Sequence, residues 1–453
     1  MPRIGVGVGL DRVHFAGGFA GSYSSRVIAD GGTIEALTCV SAASSLLQSA
    51  SLLIIPSGYK AGVAYAELPS NGNGDLTWSR NSVANRTQSD GNIGSVAANV
   101  PRLSYMFGSC PAVLLEPQRT NSLRNSTMQG ASTSPSTLPT NWGSTLSGLT
   151  QTVVGIGTEN GLPYIDVQFS GTATGTTVQV RFESTTQIVA SNGQTWSSSF
   201  WIKLIAAPNP PTSYTNAISE RDSGGNNLAT NTQTITISAT LTRNIFTRTN
   251  TNPSTTRINN AVVGFLTIGN TYDFTIRIAA PQLELGAFGT TWIDTTNAAA
   301  TRLVDTFSRN NIYTNALISA SGGTLFIEML NNIAYTRDAA AQGIGIGDSS
   351  STIANGFLIV NTGTGRQVIQ KIIASATTNL FTTTTDTIKV AIKWNGTTAD
   401  VFVNGTKQVS ATAFTTTIMQ FINGTGAGIP RWIKTMALYP TPLSDTNCTT
   451  LTT

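Results

Sequence analysis

The chain has 453 residues, 40% of them hydrophobic and 11% charged, with 26 basic and 22 acidic residues for a formal net charge of +4. Ordinary globular chains carry about 25% charged residues, and Thr, Ser, Asn and Gly take up the difference here, which excludes a long-helix architecture and favours strands joined by turns. The charges are scattered, with no Lys/Arg run or basic helix, so nucleic acid is not an expected partner.

Met1-Pro2-Arg3-Ile4-Gly5 has no basic region followed by an apolar stretch, so no signal peptide is expected. Residues 1–55 run from a glycine-rich start into Leu37–Ile55, the most apolar stretch. Ser44, Ser45, Gln48, Ser49 and Ser51 interrupt it, and it is short for a membrane span. A buried helix or strand pair is expected instead, and no membrane partner. Residues 56–125 alternate turn signals, Pro56-Ser57-Gly58 and Asn71-Gly72-Asn73-Gly74-Asp75, with short apolar runs such as Ala112–Leu115, and read as a short-strand connector. Ser126–Thr150 is rich in Ser, Thr, Pro and Gly and reads as a linker or a long surface excursion.

From there to residue 300, Tyr164–Phe169, Val178–Phe182, Thr234–Ile237, Phe200–Ile202 and Tyr272–Ile278 alternate apolar and polar residues. A period of two sets one face on a core and one in water, so a β-sandwich over 126–300 is expected. Residues 301–453 form a second set. Gly323–Met329 and Gly356–Val360 precede two Asn-Gly pairs, Asn395-Gly396 and Asn404-Gly405, which predict a meander of three antiparallel strands closed by type I′ turns. The fold class expected is all-β: an N-terminal attachment region over 1–55, the connector over 56–125, and two sandwiches over 126–300 and 301–453.

No residue emerges as catalytic, metal-binding or cofactor-binding, and the ligand-binding residues are unknown at this level. His14 is the single histidine, and no GxSxG elbow accompanies any serine, so nucleophilic triad chemistry is not expected. Gly343-Ile344-Gly345-Ile346-Gly347-Asp348 lacks the Lys-Ser/Thr of a phosphate loop and reads as a strand with glycines at a close packing point. Paired acids for glycan hydrolysis would have to come from Glu159, Asp166, Asp273, Glu284, Asp294, Asp305, Glu328 and Asp348, and calcium ligands from Asp348, Asp386 and Asp400. Of the tryptophans Trp196, Trp201, Trp292, Trp394 and Trp432, those at 201, 394 and 432 sit in apolar strand patterns and are expected in cores. Cys39, Cys110 and Cys448 fit no metal motif and are expected as free, buried thiols.

One block resembles a family. Ala97–Tyr105, Cys110-Pro111 and Leu114-Leu115-Glu116-Pro117-Gln118-Arg119-Thr120-Asn121 look like a block common in bacteriophage head-fibre and tail-fibre proteins, with Pro56–Gly62 and Asp75–Arg80 resembling its lead-in. Ala280–Phe288, Thr291-Trp292-Ile293 and Thr301-Arg302 resemble the end of the carbohydrate-binding-module-like jelly roll that follows it. Gly323–Met329, Val401–Gly405 and Met436–Asp445 resemble laminin-G/concanavalin A-like domains. The resemblance implies a non-enzymatic virion structural protein, a head or tail fibre subunit located in the virion. Its N-terminal portion docks on other virion proteins of capsid or tail, and its distal lectin-like sandwiches meet host glycans, commonly as a trimer. A capsid decoration protein with a purely structural role and a polysaccharide depolymerase are the alternatives.

Overall fold

The computed structural model describes residues 20–34, 44–56, 58–331, 343–348, 353–361, 367–415 and 418–453. His14 and Cys39 lie outside them. Strands take 54% and helices 4%, as the composition demands. Two antiparallel sandwiches account for nearly all of these strands.

The inserted sandwich has a five-stranded sheet, Thr150–Glu159, Leu162–Thr172, Thr271–Leu285, Thr195–Asn209 and Thr242–Thr249 in spatial order. Facing it is a six-stranded sheet, ordered Gly143–Thr145, Thr177–Arg181, Arg257–Phe265, Tyr214–Arg221 and Asn227–Ile235, with Ile188–Val189 pairing the Arg257–Phe265 strand. The alternation read from sequence does what it should: Ile165, Val167, Phe169, Val178, Val180, Phe274, Ile276 and Ile278 meet in one core.

The other sandwich is assembled from both sides of this insertion. Its ten-stranded sheet places Leu76–Ser79 against Thr306–Asn310, with Phe307 opposite Trp78. Its eight-stranded sheet centres on Gly323–Asn331 and Arg431–Tyr439. The free side of Arg431–Tyr439 is filled by Ala112–Leu115 and Leu52–Ile54. Strand pairing therefore redraws the expected partition. Residues 56–125 are not a connector: their strands complete the 301–453 sandwich, and Leu52, Ile54, Trp78, Leu103 and Val113 share one core with Ile327, Val390 and Ile433. Residues 52–54 of the expected attachment region lie inside that sandwich as well.

Gly323–Asn331 shows why its sequence reads as a nearly unbroken apolar run. Leu325, Ile327 and Met329 face the sandwich core, while Phe326 faces a second cluster with Leu47, Leu53, Cys448 and Leu451. The helices Ser44–Gln48 and Asp445–Thr452 supply that second cluster, so the strand is covered on both faces. The latter helix is capped by Ser444, whose side chain accepts the Asn447 amide at 3.1 Å.

Three local expectations need correction. Ser126–Thr150 is not a linker: Met128, Trp142 and Leu149 are buried in the inserted core, and Trp142 packs on Phe182 at 4.9 Å between ring centroids. Its apolar residues are too widely spaced to show a period, yet they pack into the same core. Asn404-Gly405 forms the expected type I′ turn, with φ of 46° and 80°. At the other hairpin the turn slips by one residue. Gly396, at φ 91°, takes the first central position, and Asn395 instead accepts the amides of Thr397 and Thr398 through its side chain. Finally, Cys110 is disulfide-bonded, while Cys448 is a free buried thiol as expected. Disulfide formation requires Cα atoms within about 7 Å, a condition set by tertiary structure rather than by spacing along the chain.

Candidate functional site

The chain crosses between the sandwiches twice, and the two crossings, Arg119–Asn121 and Ala300–Arg302, pair as an antiparallel ribbon. Around this ribbon lies a buried charge network built from the block that resembles phage fibres. Asp305 accepts hydrogen bonds from Arg80 (2.9 Å), Arg102 and the Glu116 amide (2.8 Å). Glu116 pairs with Arg102 at 2.7 Å and with Arg302 at 2.9 Å, and also accepts from the Thr291 amide and hydroxyl. Burial by itself would raise the Glu116 carboxyl, but the Arg302 and Arg102 guanidiniums and the Thr291 hydrogen bonds outweigh it and hold it down at about 2. Burial also pulls Arg80 down, against the opposing pull of Asp305. Side chains of Arg80, Arg102, Arg302 and Asp305 have no exposed surface. Such a network holds the crossing together; it offers nothing to a substrate.

The carboxylates considered for hydrolysis are likewise committed. Asp305 belongs to the network just described. Glu159 and Asp166 come together, but Arg277 lies between them, bonded to Glu159 at 2.6 Å and to Asp166 at 2.7 Å and stacked on Tyr164. Glu284 accepts from Gln282, the Thr290 amide and the Thr290 hydroxyl. Asp273 accepts from Gln168, Asp294 from Asn85, Glu328 lies 3.8 Å from Lys434, and Asp348 caps its hairpin through Ala354 and Asn355. Asp400, a calcium candidate, is paired with Lys407 at 3.0 Å and Lys393 at 3.4 Å and sits in the eight-stranded sheet, away from the Gly343–Gly347 strand that leads into Asp348. Among the described residues no group of three His, Cys, Asp or Glu side chains is placed to hold a metal.

Trp394 and Trp432 are buried as expected, and Trp196 and Trp292 join them. Trp292 donates to Ser126 Oγ at 3.3 Å. Trp201 is half-buried and carries the Arg243 guanidinium over its ring at 4.6 Å. The tryptophans are thus spent on cores and on intramolecular stacking. The Gly343–Gly347 strand is the close packing point expected of it: a Cβ on Gly343 would lie 1.8 Å from the Ile359 carbonyl oxygen.

Among the described residues, two grooves lie open on outer sheet faces. The larger, about 450 Å³, runs across the six-stranded sheet and is lined by Thr177, Gln179, Thr215, Ser219, Arg221, Asn227, Thr230, Thr232 and Phe265 among others. The second, about 370 Å³, crosses the ten-stranded sheet between Thr77, Ser79, Ser308, Asn310, Asn423 and Thr425. Both fall in the range of roughly 300–1,000 Å³ that accommodates small ligands. Both present hydroxyls and amides without a carboxylate. Sequence reading missed these residues because Thr, Ser and Asn are so common in this chain. The usable signal was the outward set of the alternation, Thr177-Gln179-Arg181 and Thr215-Ala217-Ser219-Arg221.

No family model matches the chain, and no curated protein matches it. Among solved structures it is similar to the CBM40 of the Ruminococcus gnavus IT-sialidase bound to α2,3-sialyllactose, at 16% identity over 30% of this chain and 84% of that one, with a TM-score of 0.24. A second is domain 4 of a GH43 extracellular arabinanase from Geobacillus stearothermophilus in complex with arabinotriose, at 15% identity over 36% and 82%, TM-score 0.26. A third is a conserved carbohydrate esterase from Shiga toxin-encoding bacteriophage phi24B, at 13% identity over 30% and 75%, TM-score 0.22. Each likeness is confined to about a third of the chain.

Proposed function

We propose that this chain is a non-catalytic structural subunit of a bacteriophage particle, a head or tail fibre protein whose sandwiches hold a glycan-adhesion surface. The observation that carries the reading is the groove on the six-stranded sheet. It is open, of ligand size, and lined by hydroxyl and amide side chains that match the donors and acceptors of a saccharide. The commitment of every candidate carboxylate to an internal partner supports a binding role over a hydrolytic one. The fibre assignment draws on the block Ala97–Asn121, whose Arg102, Glu116 and Arg119 form the crossing between sandwiches. In this reading the N-terminal region 1–55, apart from the helix Ser44–Gln48 and the strand Leu52–Ile54 that pack in the sandwich, docks on the capsid or tail, and the subunit assembles as a trimer in the virion.

Retention of the full chain on immobilised host envelope polysaccharide, without release of reducing ends, is the expected result. Labelling of the subunit on intact particles is the companion test. Turnover of the polysaccharide, or absence of the subunit from particles, would overturn the assignment.

A further inference from the structure

The groove face of the inserted sandwich carries more positive charge than its intramolecular bonding uses. Arg181 follows Thr177 and Gln179 on the outward set of its strand, and Arg221 lines the groove. Arg257 lies directly across from Arg221 in the antiparallel register and alternates outward with Val263 and Phe265. Their hydrogen-bond acceptors are all neutral. Arg181 donates to Thr145 Oγ1 and the Ser144 carbonyl, Arg221 to Asn259 Oδ1 and the Gly225 carbonyl, and Arg257 to the Thr186 and Thr256 carbonyls. Among the described residues no carboxylate forms an ion pair with any of the three.

Several other partly covered cations are instead matched by carboxylates. Arg277 is matched by Glu159 and Asp166, Lys393 and Lys407 by Asp400 and Asp445, Arg124 by Glu183. On the groove face burial lowers Arg181 and Arg221, and Arg221 is lowered further by repulsion from Arg181. Holding neighbouring guanidiniums unneutralised and partly desolvated is costly in the free protein. That cost is recovered when an anion arrives, because a planar guanidinium forms paired hydrogen bonds with a carboxylate. The surrounding Thr215, Ser219, Asn227, Thr230 and Thr232 suit hydroxyl groups, and Phe265, 41% exposed, offers an apolar face for a ring.

We infer that this groove selects acidic saccharides, those bearing a carboxylate on the sugar ring, with Arg221 and Arg181 as the residues that read the charge. The inference rests on the glycan-binding reading above and narrows it. The groove on the ten-stranded sheet, lined by neutral side chains, lacks this selectivity.

The test uses the full chain and one polymer in two forms, polygalacturonate and its methyl ester, which differ in charge but not in backbone. Affinity electrophoresis should show the acid form bound at least tenfold more tightly than the ester, with the difference shrinking as salt is raised. Arg221→Gln should weaken acid-form binding roughly ten- to a hundredfold, the scale of losing a charge-assisted pair, and weaken ester binding by less, so that the acid-to-ester ratio falls. Since Arg221 also braces Asn259, a second variant, Thr230→Glu, leaves the arginines in place and sets a carboxylate beside them; it should abolish the preference while unfolding at the wild-type temperature. Equal binding of acid and ester, or a preference that survives both variants, overturns the inference and leaves the glycan reading standing. Tighter binding of an oligodeoxynucleotide than of polygalacturonate also overturns it. No binding of either polymer form counts against the glycan reading itself.

Discussion

Replacing Asp305 by Ala would remove the carboxylate on which the crossing between the sandwiches turns. Asp305 has no exposed side-chain surface and faces two fully covered guanidiniums, Arg80 at 2.9 Å and Arg102. Arg102 retains Glu116 after the change, at 2.7 Å. Arg80 retains only backbone carbonyls, those of Ser82, Val96, Ala97 and Val100. The variant therefore leaves one buried cation with no counter-charge and strips the Glu116 amide of its acceptor. Breaking a buried pair from one side costs about 3–5 kcal/mol, and an orphaned amide adds about 1–3 kcal/mol. Set against a total stability of roughly 5–15 kcal/mol, this removes a large share. Urea unfolding followed by tryptophan fluorescence should show the midpoint falling accordingly. The counter-variant Asp305→Leu with Arg80→Met removes both partners, and should recover much of the loss because apolar replacements of a buried pair are often neutral. A loss below about 1 kcal/mol for Asp305→Ala, the value of an exposed pair, would refute the claim that this network clamps the crossing.

Three further outcomes follow from the same geometry. Residues 301–453 expressed alone should be unfolded or aggregated by circular dichroism and light scattering, because the Arg431–Tyr439 strand loses Leu52–Ile54 and Ala112–Leu115 and the shared core is laid open; a cooperative thermal transition in that fragment would contradict it. Gly343→Ala should destabilise by at least the roughly 1–3 kcal/mol of an overpacked core, since its Cβ would meet the Ile359 carbonyl at 1.8 Å, and unchanged thermal unfolding would rule that packing out. Glu116 is held at about 2 against an ordinary 4.5, so the stability it contributes is full above pH 4.5 and is lost as pH falls toward 2. Glu67 runs the other way: burial raises it to about 7, so its contribution is full below pH 4.5 and is lost as pH rises through 7. Unfolding midpoints measured from pH 2.5 to 8 should decline at both ends, with Glu116→Gln flattening the acid side and Glu67→Gln the alkaline side.

What the sequence by itself determined is the local conformation. Strands at Leu162–Thr172, Thr271–Leu285 and Gly323–Asn331 are legible because side chains alternate across a pleat whatever lies beside them, and Asn404-Gly405 turns because only residues tolerant of positive φ close a two-residue hairpin. The slip at Asn395-Gly396 marks the limit of that logic, since the Asn395 side chain found backbone amides to bind and moved the turn. Only the tertiary structure decided which strands are neighbours. A strand edge is a row of backbone groups with no code for its partner, so nothing in Ala112–Leu115 announces that it pairs with Arg431–Ile433. The same holds for charge. Arg80, Arg102, Glu116, Arg302 and Asp305 are scattered along the chain as ordinary polar residues, and become one buried network only when the crossing ribbon closes. Arg181, Arg221 and Arg257 are the converse. Their positions are legible as outward-facing, but their lack of counter-ions appears only once the sheet is laid out and its acids are found to be committed elsewhere.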